Sequence, residues 1–176
     1  MAEPRFLNIN KYIQHIRKTY KRINLIQKGN LYTYTYLFNH APNFDKQDYE
    51  KIKFYDYMPV TFIFDIDEKN KTFTGINFHH LPVASRLIWL NRLKKMRGKL
   101  FEQEGVNRVI LRYGVLKFLM KKSIFGIRKY RMDRTRELRI VPNQQWEELL
   151  SIYSRTYFGV TLAQVEQKYK TFIPGF

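Results

Sequence analysis

The 176-residue chain has no cysteine and only four serines, and each shortage removes a class of function. Without cysteine there is no disulfide, no thiol nucleophile and no thiolate zinc site, which fits an intracellular or intravirion product. None of Ser85, Ser123, Ser151 and Ser154 stands in a nucleophile elbow or a phosphate-binding loop. Acidic residues are scarce, 15 against 32 Lys and Arg, which leaves a net charge of +17. No apolar run nears the roughly 20 residues that cross a bilayer. The N-terminal MAEPRFLNIN lacks the apolar stretch of a secretory signal. The expectation is a soluble chain with no membrane partner.

The positive charge is segregated. Residues 1–30 carry seven Lys or Arg against Glu3, and residues 92–139 carry sixteen against four acidic residues, while the remaining stretches are nearly neutral. A basic surface of this kind concentrates anions and binds phosphate backbones with release of counterions. Double-stranded DNA is therefore the first partner to expect. With 44% apolar residues, 13 Tyr and 14 Phe, the chain can also bury a core without covalent staples.

Ile9, Ile13, Ile16, Tyr20 and Ile23 recur at helical spacing and predict an amphipathic helix from Asn10 to Gln27, with Lys18, Lys21 and Arg22 on its polar side. That polar side reads equally as a solvated face or as a DNA contact. LYTYTYLF from Leu31 alternates with period two, and MPVTFIFDI from Met58 reverses through DEKNK into TFTGINFH, a predicted hairpin. Gly75 in its second strand suggests a bulge or a close backbone approach. A helix is expected from Val83 to Met96, with Arg92, Lys95 and Lys99 in one row. A further helix is expected at 106–120, ending in Lys121 and Lys122. Arg128, Lys129, Arg131, Arg134, Arg136 and Arg139 then decorate one or two short strands, as phosphate contacts or as charges that protect a sheet edge. Trp146, Leu149, Leu150 and Tyr153 predict a helix, and Thr161 an N-cap for a last one.

The fold class predicted is α+β: a small antiparallel SH3-like barrel with an N-terminal amphipathic helix and C-terminal helices. The divisions are a basic arm at 1–30, a core at 31–153 and a helical tail at 154–176. Catalysis has no convincing constellation. Asp56 with Asp67 and Lys69 loosely mimics a metal-dependent nuclease, but Asp67 to Asn70 sit where the hairpin must turn. His79 and His80, as strand neighbours, point to opposite faces and do not share a metal. No cofactor and no metal are expected.

FYDYMP, with Tyr55, Asp56 and Pro59, is followed after a strand by TGINFHHLP, with Gly75, Asn77, His79 and Pro82, and then by Arg86. In order and spacing this resembles the DNA end protector proteins of large T-even-like tailed phages, although His80 stands where a tyrosine is usual. The resemblance spans about residues 29–150 and extends to Arg128–Arg131, Val141, Pro142 and Trp146. It implies a non-enzymatic minor virion protein, present in the host cytoplasm during assembly and after DNA entry. Such a protein binds the ends of packaged linear DNA, shields them from exonuclease and meets portal, neck or tail proteins. Loop and hairpin geometry is the expected role of Asp56, Gly75, Asn77 and His79, whereas Arg86 is expected to touch DNA. The alternatives are a structural neck, tail or baseplate component and, behind it, a metal-dependent nuclease.

Overall fold

The alternating run at Leu31 becomes an inner strand of a five-stranded antiparallel sheet. The computed structural model describes residues 5–7, 9–37, 56–81, 83–100 and 126–154, and positions 163, 164 and 167. The elements in order are β1 (Arg5–Leu7), α1 (Ile9–Thr19), β2 (Leu31–Tyr36), β3 (Val60–Asp67), β4 (Thr72–Asn77), α2 (Val83–Leu100), β5 (Ile127–Arg131), β6 (Thr135–Val141), α3 (Trp146–Ser151) and β7 (Ile152–Ser154). Strand order in the main sheet is β5-β4-β3-β2-β6, and β1 pairs in parallel with β7 in a separate two-stranded sheet. The α+β class holds. The main sheet is open, with no ladder closing β5 onto β6 among the described residues. Its two edges are nevertheless consecutive in the chain, joined by the single 3-10 turn Met132–Arg134. The helix expected at 106–120, the loop at 39–53, Tyr55, Pro82, Lys121 and Lys122 lie outside the described residues.

Both faces of the sheet are covered. On one face Tyr12, Ile16 and Tyr20, spaced four apart along and just beyond α1, pack with Leu31, Phe62, Ile76, Trp89, Val141 and Trp146. The 1–30 segment thus contributes three fully buried side chains to the main core. On the other face Tyr32, Tyr34, Ile63, Phe73, Tyr130 and Leu138 form a smaller core, closed by Ile23, Ile26 and Met132. Tyr34 meets Phe73 edge-on at 5.6 Å between ring centroids and Tyr130 at 5.5 Å, the favourable arrangement for opposed ring quadrupoles.

Three local expectations change. The first helix stops at Thr19 instead of Gln27. Beyond it Ile23 N–H donates to Leu138 O at 2.9 Å and Ile140 N–H to Lys21 O at 3.3 Å, so the free edge of β6 captures the chain in extended form. Ile23 consequently packs on the opposite face of the sheet from Ile16. His79 and His80 occupy a 3-10 turn, Phe78–His80, instead of strand positions. Tyr153 belongs to β7 and not to the helix that starts at Trp146.

Gly75 is required by close approach. A Cβ there would collide with the Thr61 side chain and come within 2.6 Å of the Phe62 carbonyl oxygen. The β3–β4 register shifts between Ile63 and Asp65, directly beside this crossing.

Candidate nucleic-acid interface

Two assemblies emerge from the residues singled out in the sequence, one buried and one on the surface. The buried one gathers the motif. Asn77 caps the Phe78–His80 turn by accepting from His79 N–H at 2.9 Å, and its amide donates to Asp56 Oδ2 at 2.9 Å and to the Tyr130 hydroxyl at 3.1 Å. Asp56 Oδ2 also meets His79 Nδ1 at 3.0 Å, and Asp56 Oδ1 accepts from Met58 N–H at 3.2 Å. On the far side of the imidazole, Nε2 lies 3.4 Å from the Tyr12 hydroxyl of α1. A chain of polar groups therefore links helix α1, the 56–59 segment, the end of β4 and strand β5.

Asp56, His79 and Tyr12 stand in the order acid, base, hydroxyl, which is the order of a nucleophilic relay. Their exposures are 5%, 5% and 0%, so no substrate reaches the hydroxyl. What the arrangement accomplishes is fixation, because buried polar groups that satisfy one another specify a single packing. Burial, reinforced by the neighbouring Tyr130, holds the Tyr34 phenol well above its ordinary range, and burial with the Asp56 carboxylate does the same for Tyr130. Both phenols keep their protons at neutral pH and remain available as donors.

Arg86 belongs to the buried assembly, contrary to its expected contact with DNA. It is 4% exposed, and its guanidinium donates to Leu81 O at 2.9 Å and, at 3.5 Å, to the carbonyls of His79, Leu150 and Ile152. It ties α2 to the α3–β7 junction, a task suited to a planar group with five donors. Asp67 is part of the hairpin turn. Asn70 donates to it from both side chain (2.7 Å) and backbone (3.1 Å), and these bonds hold its carboxyl below the usual range. Among the described residues no three His, Asp or Glu side chains converge as metal ligands.

The surface assembly arises because the two basic stretches of sequence meet. Arg22 bridges Arg139 in antiparallel register, and Arg17 makes a two-pronged ion pair with Glu137 Oε2 at 2.9 and 3.1 Å. Arg139 donates to Tyr20 O at 2.7 Å and Arg17 O at 3.4 Å, capping the exposed carbonyls at the end of α1. Lys18, Lys21 and Arg22 are exposed along this seam. Arg136 is exposed on β6 and donates to the carbonyls of Asp133 (2.8 Å) and Thr135 (3.1 Å), contacts that orient the guanidinium without neutralising it.

The remaining cations are dispersed or engaged. Arg131 is held bidentately by Asp133 at 2.9 and 2.6 Å, which lowers the pKa of that carboxyl. Half-buried Arg128 donates to the carbonyl of its neighbour Ile127 at 2.9 Å, and Lys129 is exposed on edge strand β5. Arg134 is half-buried in the 132–134 turn, and Arg92 is half-buried on α2. Lys95 and Lys99 lie on α2 with side chains outside the description. Sequence reasoning missed Tyr12 and Glu137. Tyr12 carried a signal, its four-residue spacing to Ile16 and Tyr20, while Glu137 at a positive φ of 51° carried none.

No family model, curated protein or solved structure matches the chain.

Proposed function

We propose that the protein binds double-stranded DNA without base specificity, through the surface on which α1, the 20–28 segment and β6 meet. Placed at DNA ends, it would work as a virion protein that denies exonucleases their entry point. The observation that carries the reading is the junction of the two basic stretches. Lys18, Lys21, Arg22 and Arg136 bracket one seam, while Glu137 on β6 is already taken by Arg17. Such a surface holds phosphates and carries little sequence information.

The end-directed part of the proposal rests on the resemblance of the Asp56–Arg86 motif to phage DNA end protectors. Its support here is that Asp56, Asn77 and His79 act as one bonded unit. The open sheet with its edges joined by a three-residue 3-10 turn supports reading the core as a half-closed SH3-like barrel. The network fixes α1 to that core, and so sets where the cations of α1 stand relative to those of β6.

The decisive experiment is a paired digestion at matched occupancy. Bound protein is expected to slow a processive exonuclease on linear duplex and leave a restriction cut at an internal site nearly unchanged. Equal inhibition of the two enzymes would refute end protection and leave general coating. No binding to DNA at any salt concentration, with assembly onto portal or tail particles, would instead favour a structural role in the neck or tail.

A further inference from the structure

Beside the cationic seam lies a groove of about 270 Å³ between the 22–26 segment, the 132–138 region and Glu68. Its apolar lining is Ile23, Ile26, Met132 and Leu138, the side chains that close the smaller core. Arg22 and Arg136 also line it, and both are exposed. Leu25, also in the lining, is 67% exposed, the most exposed large apolar side chain among the described residues. The volume falls just under the roughly 300 Å³ at which small-molecule pockets begin, so it suits one flat ring better than a cofactor.

We infer that this groove receives one unpaired terminal nucleotide of a DNA end. The base would lie against the aliphatic floor, and its flanking phosphates would meet Arg22 and Arg136. This deepens the proposed function and rests on it. Charge complementarity argues for the occupant, since cations flank an apolar floor as phosphates flank a base. Of the two acidic residues that line the groove, Glu137 is turned onto Arg17. Glu68 offers an acceptor that suits the exocyclic amino group of a base and repels a phosphate.

The inference also supplies a physical origin for end preference. A base inside a duplex must be unpaired and unstacked before it can enter any pocket, whereas an unpaired terminal base has no pairing to lose. A seam of cations alone grips every stretch of duplex alike. The same seam beside a base-sized groove favours termini.

The test compares two duplexes of identical paired sequence. One carries a single unpaired 2-aminopurine nucleotide at each end, and the other is closed at both ends by glycol linkers. Binding is followed by anisotropy, and the base by its fluorescence. Burial of roughly 60 Å² of apolar surface is worth about ten-fold in affinity, so the open duplex is expected to bind about ten-fold tighter, with a rise in 2-aminopurine emission as the base leaves the stack. Leu25→Ser, which changes neither charge nor core, is expected to bring the ratio of open to closed affinity close to one while binding of the closed duplex persists.

An open-end preference that survives Leu25→Ser would overturn the groove assignment and leave end protection standing. Equal affinity of the wild-type protein for both duplexes would overturn the groove and the end-directed reading together. Self-association in light scattering that Leu25→Ser abolishes would give the groove to a second copy of the chain and overturn the inference.

Discussion

Removing the Asn77 side chain should cost the protein a large share of its stability. The amide is fully buried and makes three bonds, to Asp56, to Tyr130 and from His79 N–H. Asn77→Ala orphans the His79 N–H, a loss of a cap worth about 1 kcal/mol. It also strips one partner from a buried carboxylate and one from a buried phenol, each worth about 1–2 kcal/mol because Asp56 keeps its contacts with His79 and the Met58 N–H. The expected loss is about 3–5 kcal/mol, against a total of roughly 5–15 kcal/mol for a typical protein. For a chain of this size that lowers Tm by about 6–20 °C. Urea unfolding followed by tyrosine and tryptophan fluorescence should show the midpoint falling with the slope unchanged. Asn77→Asp keeps the shape and the cap but sets a second carboxyl against Asp56. Crowding raises the pKa of the pair in the folded state above its unfolded value, so this variant should be least stable at neutral pH and should recover as pH falls. A loss below about 1 kcal/mol for Asn77→Ala would refute the idea that these bonds are buried and mutually dependent.

Gly75→Ala forces a Cβ against the Phe62 carbonyl and should destabilise by about 1–3 kcal/mol in the same urea assay; a neutral result would show that β3 and β4 do not cross as tightly as described. Glu137→Gly relieves a left-handed backbone worth roughly 1 kcal/mol and loses an exposed ion pair worth 0–1 kcal/mol, so stability should stay level or rise, and a large loss would contradict this balance. Replacing Lys18, Lys21 and Arg22 with Gln should leave the melt unchanged and reduce the slope of log affinity against log salt by about 3, because each phosphate contact contributes about one to that slope; an unchanged slope would move the interface elsewhere. The Asp67 carboxyl should titrate below the ordinary aspartate range by NMR and return upward in Asn70→Ala. Its folded pKa is the depressed one, so its contribution to the hairpin is present above the unfolded pKa and disappears as pH falls through the lowered value.

Much of the sheet was readable because period and burial agree. Tyr32, Tyr34 and Tyr36 alternate and do share one face, and DEKNK marks the turn between β3 and β4. Asp56, Asn77 and His79 were legible as a set through the resemblance, and the structure shows the bonds among them. Their link to Tyr12 was not, because a hydrogen bond between residues 67 apart leaves no trace in local periodicity. The helix that the sequence predicts is too long because the apolar spacing runs on to Ile23, and only the free edge of β6, more than a hundred residues later, explains why the chain leaves the helix. Arg86 and Arg139 show the limit of reading charge alone. A guanidinium that serves backbone carbonyls has the same letter as one that serves phosphate.

The pairing of Leu31 with Val141 and of Arg5 with Ile152 also governs how the molecule is made. Among the described strands, the β3–β4 hairpin alone joins sheet neighbours of short separation; β2 waits for β6, and the edge that receives residues 21–23 is among the last parts of the sheet to leave the ribosome. Topologies rich in distant contacts fold slowly, since loop closure precedes its reward. The polycationic leading segment therefore spends synthesis undocked, and it acquires a fixed place only when the last strands arrive. Folding and the assembly of the cationic seam are one event, so a chain truncated before β6 would keep its charge and lose the surface that organises it.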